Sequence, residues 1–263
     1  MSLYALPLLA PLALIAAAIH AFMNPGRRPG GVPLFAERAA LAAIGVSAFA
    51  ALKLVSLGAG TGPTLGFGAV GLTPRLDALS ATMLLLVSFV GWVVLRYSRS
   101  YMDGVERQGV FTAWLCMTLA AVLLVVQAGD LVHFVGAWIA TSVFLHRLLL
   151  FYPERVEAQR AARKKWVTAR LGDLALIAAA WALAEGYGTT DIAAILERAR
   201  EGAYPAGTSW AAALLAVAAL LKSAQFPTHG WLTEVMETPT PVSALLHAGV
   251  INAGGFLLIR FAD

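Results

Sequence analysis

The stretch AAALLAVAALLKSAQFP, residues 211–227, indicates the class of fold. Eleven apolar residues precede Lys222, and Pro227 follows five positions later. Proline lacks a backbone donor and clashes with the preceding helical turn, so we expect the helix to break near Lys222–Pro227. So apolar a helix indicates a membrane setting. Irregular backbone at membrane depth is tolerated beside a water-filled cavity, and a lysine at such a break would lie there.

The composition of the whole chain supports this interpretation. Of its 263 residues, 59% are hydrophobic and 13% are charged, against roughly 25% charged in ordinary soluble domains. A disordered chain is excluded by the apolar content, and a disulfide scaffold by the single cysteine, Cys116. A soluble domain of this length cannot bury so much apolar surface. The net charge of +4 does not indicate nucleic-acid binding, because no basic patch with interleaved aromatic residues accompanies it.

The chain is predicted to be an all-α polytopic membrane protein with about eight transmembrane helices, since a spanning helix needs roughly 20 mostly apolar residues. We expect one membrane domain over residues 1–263, with three leading helices in 1–109. The first segment lacks the basic start of a signal peptide and is kept as a span. The segments lie at about 3–23, 36–57, 76–96, 110–128, 131–151, 171–186, 207–222 and 240–261.

The distribution of basic residues predicts the orientation. With the N-terminus outside, the loops at 24–35, 97–109, 152–170 and 223–239 lie inside. Inner boundaries then hold twelve Lys and Arg residues, whereas outer loops hold three, as the positive-inside rule requires. The inner residues are Arg27, Arg28, Arg38, Arg96, Arg99, Arg107, Arg155, Arg160, Arg163, Lys164, Lys165 and Arg170, and the outer ones are Arg75, Arg198 and Arg200.

Two outer connections differ in character. The Gly-rich stretch at residues 58–71 predicts a flexible loop. In residues 187–206, the run 191–199 has helical spacing, with Ile192, Ile195 and Leu196 on one side. It is either a short amphipathic helix at the outer surface or a plain solvated loop.

Ionisable residues within the spans are the first candidates for function, because they are costly in a membrane unless paired or hydrated. Lys222 lies at the helix break and either exchanges protons or extends to the interface from a helix end. His247 lies within the predicted last helix and suits a proton relay, although a hydrogen-bonded core histidine is the simpler alternative.

Other ionisable residues have mainly structural interpretations. Asp173 is either a counter-charge for a membrane lysine or the N-terminal cap of the sixth helix. Asp77 is expected to cap a helix beside Arg75, and Lys53 to extend from the outer end of the second helix. His229 and Lys53 are kept as secondary candidates.

No cofactor, metal site or covalent chemistry is predicted. His133, His146 and His229 do not have metal-ligand spacing, and Cys116 lies on a different helix. Residues that would form a catalytic triad, a Walker loop or a dinucleotide fingerprint do not occur together.

The C-terminal stretch resembles a known family. KSAQFPTHGWLTEVMETPTPVSALLHAGVINAGGFLLIR, residues 222–260, resembles the signature of proton-conducting antiporter-like membrane subunits, which include the large pump subunits of complex I and Mrp antiporter subunits. Weaker similarity is carried by LDALSATMLLLV (76–87), YSRSYM (97–102) and ARLGD (169–173). Within the family, residues 236–260 are most similar to the membrane subunit of DAB-type inorganic-carbon transporters. Glu237, Thr238, Pro239 and residues 247–255 carry that distinction.

The resemblance implies roles for residues already singled out. Lys222 matches the buried lysine of the broken seventh helix that takes up and releases the conducted proton. His247 matches the histidine of the eighth helix on the hydrated path, and Asp173 matches an aspartate of the sixth helix. Residues 110–263 would form the first five-helix unit of the family fold.

This chain departs from the family pattern in two ways. The fifth helix of the family carries a glutamate as the partner of the lysine, whereas here the matching position in FVGAWIATSVFLH (134–146) is Trp138. No carboxylate replaces it in residues 131–152, so Asp173 or a partner chain would supply the counter-charge. Family members are also about twice as long, so a second, inverted five-helix unit would come from another chain or be absent.

The expected function is therefore transport in a bacterial inner membrane. The subunit would pass protons, or sodium, to energise carbon dioxide and bicarbonate uptake by a zinc-containing, carbonic-anhydrase-like partner. One alternative is the proton-translocating subunit of a complex I-like or Mrp-type antiporter complex, which in complex I is part of an NADH–quinone oxidoreductase. A non-conducting membrane scaffold is the other.

Overall fold

A computed structural model describes residues 3–67, 70–233, 235 and 238–262. Glu237 and Asp263, which entered the sequence interpretation, lie outside the described residues. A 3₁₀ helix at Leu3–Leu8 leads into the first α-helix. The long helices are α1 (Leu9–Met23), α2 (Val32–Leu57), α3 (Ala78–Tyr101), α4 (Gln108–Val126), α5 (Leu131–Leu149) and α6 (Val156–Tyr187). The later helices are α7 (Ile192–Arg200), α8 (Thr208–Lys222), α9 (Gly230–Thr233), α10 (Thr240–Leu245) and α11 (Ala253–Arg260), with a π-helical turn at Leu246–Val250.

The chain is a mostly helical, multi-pass membrane protein. Within the described part of the chain, six helical segments are long and apolar enough to cross a bilayer, the first formed by the 3₁₀ helix and α1 together and the others by α2 to α6. A seventh, α8, is apolar but has only 15 residues. The predicted eighth span is divided into α10, the π turn and α11. The count of eight spans stays a prediction.

The predicted helical membrane class holds for most of the chain, but a small β region replaces the flexible loop expected at residues 58–71. Strands β1 (Gly60–Thr61) and β4 (Arg75–Leu76) pair antiparallel, with Gly60 opposite Leu76. Strands β2 (Leu65–Phe67) and β3 (Val70–Leu72) form a second antiparallel pair. Glycine in this stretch permits close backbone approach, since a Cβ at Gly71 would press on the Leu65 carbonyl.

The helix α6 corrects the predicted inner loop at residues 152–170. It begins at Val156, and small residues on one side of its first half are buried, among them Ala158, Ala161 and Ala162. Its 32 residues extend about 48 Å, which exceeds the roughly 30 Å hydrocarbon core. Asp173 lies in the middle of this helix, so the prediction that it caps the N-terminus is wrong.

Of the two alternatives for the run at residues 191–199, the structure shows the short amphipathic helix, α7. Its Ile192, Ile195 and Leu196 side chains are buried, and the Asp191 carboxylate accepts a hydrogen bond from the Ala194 backbone nitrogen at 3.0 Å. This cap satisfies one of the free N–H groups at the start of the helix. α7 therefore packs against the bundle through one apolar face.

The helices pack around α4, which is the most buried of the six candidate spans. α1 and α5 both pack along α4, and α6 packs between α5 and α8. Gly109 permits the close approach of α4 to the chain after α1, because a Cβ there would overlap the Asn24 carbonyl. This arrangement places α5, α6 and α8 side by side, where the ionisable side chains meet.

A buried ion cluster joins the start of α3 to the ends of α4 and α11. As predicted, Asp77 caps α3 in a reciprocal arrangement with Ser80, and the Arg75 Nε lies 2.8 Å from its carboxylate. The Arg260 guanidinium of α11 also pairs with Asp77 and donates to the Val126 carbonyl at 3.2 Å. Arg260 is almost fully buried, so α11 is held against α3 and α4 by its charge.

Charge pairing controls the titration of Asp77. Burial alone would raise the pKa of this carboxyl, but the nearby Arg260 charge and hydrogen bonds from Ser80 and Arg260 outweigh it and lower the pKa from 3.8 to about 2. The Asp77 pKa is lower in the folded than in the unfolded chain. The ionised carboxylate therefore contributes its full stabilisation of the fold above about pH 4, and this contribution is lost as the pH falls towards 2.

We expect Asp77→Asn to lower the free energy of unfolding by about 3 kcal/mol, because it leaves the Arg260 charge buried and unpaired. The matched control is Asp103→Asn, which removes an exposed partner of Arg28 and should cost at most about 1 kcal/mol. Denaturation of the purified protein in detergent measures both. Equal losses of unfolding free energy in the two variants would contradict the assigned ion cluster. So would a stability difference between wild type and Asp77→Asn that does not narrow between pH 4 and pH 2.

Candidate functional site

The Lys222 side chain at the end of α8 is held by one turn of α5. Its Nζ donates to the Ser142 hydroxyl at 2.7 Å, the Thr141 hydroxyl at 2.9 Å and the Trp138 backbone oxygen at 3.2 Å. It also lies 4.4 Å from the centroid of the Trp138 ring, within the range of a cation–π interaction. An ammonium group has three donors, and neutral oxygens accept from all three.

This turn lies near the middle of the candidate membrane span α5. α5 runs from Leu131 to Leu149, and its contacts with Lys222, at positions 138–142, surround its midpoint. The helix α8 ends at Lys222, and residues 223–229 are not helical, with Ala224 at φ +50°. A lysine at this depth is costly unless it is hydrogen-bonded or hydrated. The Trp138, Thr141 and Ser142 oxygens meet that requirement.

A second lysine, Lys165 of α6, reaches the same turn. It is 5% exposed, and its Nζ donates to the Ser142 backbone oxygen at 2.6 Å. Ser142 thus receives Lys222 on its hydroxyl and Lys165 on its carbonyl. The sequence interpretation counted Lys165 as an inner-loop charge, which is wrong.

Asp173 supplies the buried negative charge nearest this cluster on α6. It is 3% exposed, and its carboxylate lies 2.6 Å from the Arg170 guanidinium. Asp173 is also close enough to Lys222 and Lys165 to interact with them electrostatically, and the Trp138 side chain lies beside it. The Trp138 ring therefore contacts Lys222 and neighbours the carboxylate.

A small cavity adjoins the two lysines. Its volume of about 20 Å³ is enough for one water molecule, which needs roughly 10–15 Å³. The lining is mainly apolar but includes four residues with polar side chains, Ser142, Lys165, Thr168 and Lys222. Leu246 and Val250 of the π turn close another side.

The π turn carries His247 but does not bring its side chain to the lysines. Leu246–Val250 follows α10 directly, and the His247 side chain is exposed. The Asn252 amide donates to the His247 carbonyl at 3.4 Å. π-helical turns recur at functional sites, so the irregular backbone beside the cavity agrees with a functional role for this segment.

Close packing between α8 and α11 fixes the position of the helix end at Lys222. A Cβ at Gly254 would overlap both the Ala219 carbonyl and the Ser223 hydroxyl. On the other side, a Cβ at Gly172 of α6 would meet Leu221 at an ordinary contact distance of 3.4 Å. Small residues on both neighbours thus let α8 approach closely enough for Lys222 to reach α5.

The remaining sequence candidates lie apart from this cluster. Pro227 and His229 are in the chain after α8, where the His229 ring stacks on Phe226 at 5.7 Å. Lys53 is close to the end of α2, with its Nζ 5.4 Å from the Phe49 ring. His133 is buried beside the Thr73 backbone, with Nδ1 3.0 Å from the carbonyl oxygen, and the His146 ring packs on Trp166.

One signal in the sequence would have identified Lys165. The buried residues of α6 recur every three or four positions, as one face of a helix does. From the start of the helix to Asp173 they are Ala158, Ala161, Ala162, Lys165, Ala169, Gly172 and Asp173. Lys165 and Asp173 therefore share a stripe of otherwise small residues.

We expect Thr141→Val to lower the free energy of unfolding by about 2 kcal/mol, because a hydrogen bond to the charged Lys222 is lost while the side-chain shape is kept. The control is Thr118→Val, which removes a buried hydroxyl that bonds only its own helix at the Trp114 carbonyl. It should cost about 1 kcal/mol or less. Denaturant titration measures both, and equal costs would show that Thr141 does not support the lysine.

Two family models match stretches of this chain. The family described as "NADH:quinone oxidoreductase/Mrp antiporter, TM" matches residues 128–263, and "NADH-Ubiquinone oxidoreductase (complex I), chain 5 N-terminus" matches residues 66–112. The first match includes α5, α6 and α8, which carry the lysine cluster.

Two curated relatives are inorganic-carbon transporter subunits by name. "Probable inorganic carbon transporter subunit DabB" of Hydrogenovibrio crunogenus is 46% identical over 71% of this chain and 36% of its own length. "Probable inorganic carbon transporter subunit DabB2" of Halothiobacillus neapolitanus is 41% identical over 85% of this chain and 41% of its own length. The matched stretches cover about two fifths or less of each relative's own length.

A solved structure shares the fold. A chain of the Mrp complex from Dietzia sp. DQ12-45-1b superposes with a TM-score of 0.79 at 28% identity, covering 97% of this chain and 28% of that one. The protein is a cation/proton antiporter-like membrane subunit. By its family match over residues 128–263, the chain belongs to the NADH:quinone oxidoreductase/Mrp antiporter transmembrane family.

Proposed function

We propose that this chain conducts protons through Lys222 to energise the uptake of inorganic carbon. The observation that carries the proposal is the Lys222 ammonium, bound near mid-membrane by three neutral oxygens of α5. Neutral acceptors stabilise the charged lysine without forming a fixed ion pair, so the group is able to lose and regain a proton. Sodium is the alternative ion.

Asp173 serves as the counter-charge in this proposal. The family's glutamate is replaced by Trp138, whose ring contacts Lys222 and lies beside Asp173. Arg170 holds the carboxylate in place at 2.6 Å. The negative charge then acts on Lys222 across the indole, which weakens the attraction and makes the proton easier to release.

The path continues towards the π turn. Leu246 and Val250 line the cavity beside Lys222, and His247 lies between them in sequence. We assign His247 to the next step because imidazole both accepts and donates near neutral pH. Its exposed side chain is positioned to meet another polypeptide, for which a second five-helix unit is the proposed occupant. Lys53 and His229 are left outside the path.

The proposed topology completes this picture. In it, the chain has eight spans, the seventh is broken between Lys222 and Pro227, and the N-terminus lies outside a bacterial inner membrane, as the distribution of Lys and Arg favours. Residues 1–109 form the leading helices and residues 110–263 the first five-helix unit. The two DabB relatives support a role in inorganic-carbon uptake. Carbon dioxide hydration is assigned to a zinc-containing, carbonic-anhydrase-like partner that the flux energises.

Two other functions have support from specific observations. The 28% identity to a chain of an Mrp complex favours a subunit of a cation/proton antiporter or complex I-like assembly. The Trp138 side chain in place of a carboxylate favours a non-conducting scaffold. Purification of the intact complex distinguishes the antiporter or complex I-like assembly from our proposal. Flavin and iron–sulfur proteins would co-purify with a complex I-like subunit, several small membrane subunits with an antiporter subunit, and a zinc-containing partner with the subunit that we propose.

We expect Lys222→Met to reduce proton flux and bicarbonate accumulation by about a hundredfold or more, since the proton-exchanging group is lost. The measurement uses the intact complex in cells and in proteoliposomes with an internal pH dye. Lys53→Met, which removes a lysine at the end of another membrane helix, should leave both rates unchanged. Normal accumulation in assembled Lys222→Met complexes would refute the proposal and favour the scaffold.

A further inference from the structure

Lys165 is a buried lysine to which the proposed function assigns no role. It extends from α6 to the Ser142 carbonyl, on the residue whose hydroxyl binds Lys222. Both lysines line the cavity that has room for one water molecule. Thr168, one helical turn from Lys165, also lines this cavity. Four residues with polar side chains, both lysines among them, thus line one small and mainly apolar volume.

We propose that Lys165 is a second proton carrier, which exchanges protons with Lys222 through one water molecule in this cavity. The inference rests on the proposed function, because it extends the path from Lys222. In the step, the Lys222 ammonium gives a proton to the water, and the water gives one of its protons to the neutral Lys165 amine. Lys222 becomes neutral, Lys165 becomes charged, and the water is regenerated.

The shared residue explains why the charge alternates between the two lysines. Ser142 presents its hydroxyl to one amine and its carbonyl to the other, so the two nitrogens are near neighbours. Two positive charges at this separation repel each other strongly in a medium of low dielectric constant. One charge and one neutral amine is the arrangement with the lower energy, and proton transfer interchanges them.

The groups around Lys165 give its position in the path. Next to it along α6, Trp166 packs on His146, which lies in the last turn of α5. Lys165 therefore starts nearer the predicted inner end of these helices than Ser142 does, and its side chain reaches towards mid-membrane. The charged and titratable groups that interact with it are Lys222 on α8, His146 on α5, and Arg170 and Asp173 on its own helix.

The test compares lysine variants in the intact complex, with flux expressed per assembled complex. Lys165→Met should reduce proton flux at least tenfold. Lys165→Arg should reduce it equally, because arginine keeps the charge and the hydrogen bond to Ser142 but does not release its proton. Lys165→His should restore part of the flux with a pH optimum moved towards the lower pKa of imidazole. Lys164→Met, at the adjacent exposed position, is the matched control with flux near the wild-type value.

A second perturbation leaves both lysines intact. Ala169 lines the cavity, and Ala169→Val adds two methyl groups to a space that holds one water molecule. We expect at least a tenfold loss of flux with normal assembly. This variant keeps the proposal testable if replacements of Lys165 impair folding.

The outcomes separate the two proposals. Loss of flux in Lys222→Met, together with wild-type flux in Lys165→Arg and Ala169→Val, would overturn the role of Lys165 and leave the proposed function standing. Wild-type flux in Lys222→Met would overturn the proposed function itself. Loss in the Lys222, Lys165 and Ala169 variants, with partial recovery and a shifted pH optimum in Lys165→His, is the result expected for proton exchange.

Discussion

The arrangement of this membrane protein depends on how one ammonium group is stabilised near mid-membrane. Lys222 places all three of its donors on neutral oxygens of a single turn of α5. A charge in a membrane costs several kcal/mol when it lacks such partners. The end of α8, its close packing on α11 and the approach of α6 all follow from the need to bring this group to α5.

The same requirement explains the unusual residues nearby. Gly254 lets α11 lie against the carbonyl of Ala219, so that α8 ends where Lys222 reaches Trp138. The stripe of small residues on α6 brings Lys165 and Asp173 to the opposite side of the same turn. Positive groups therefore outnumber the buried carboxylate around Ser142. In such a cluster the position of a single proton affects every member, which is the property that a conducting path requires.

Local patterns in the sequence predicted the features that depend on neighbouring residues. The Asp77 cap was predicted from a few adjacent positions, and the helical spacing of residues 191–199 gave the amphipathic α7 as one of two alternatives. Lys165 was misplaced because its charge suggested a loop, whereas packing against α5 decides its burial. The π turn and the contact between Arg260 and Asp77 depend on residues far apart in the chain, so periodicity alone does not reveal them.

The central claim is that Lys222 releases and regains a proton rather than providing a permanent charge. Proton flux through the intact complex carrying Lys222→Arg tests it most directly. Arginine keeps the positive charge and donates hydrogen bonds, but it is not deprotonated in proteins. The account predicts an assembled complex with flux at the background level. Flux at the wild-type rate would contradict it, because a fixed charge would then suffice at this position.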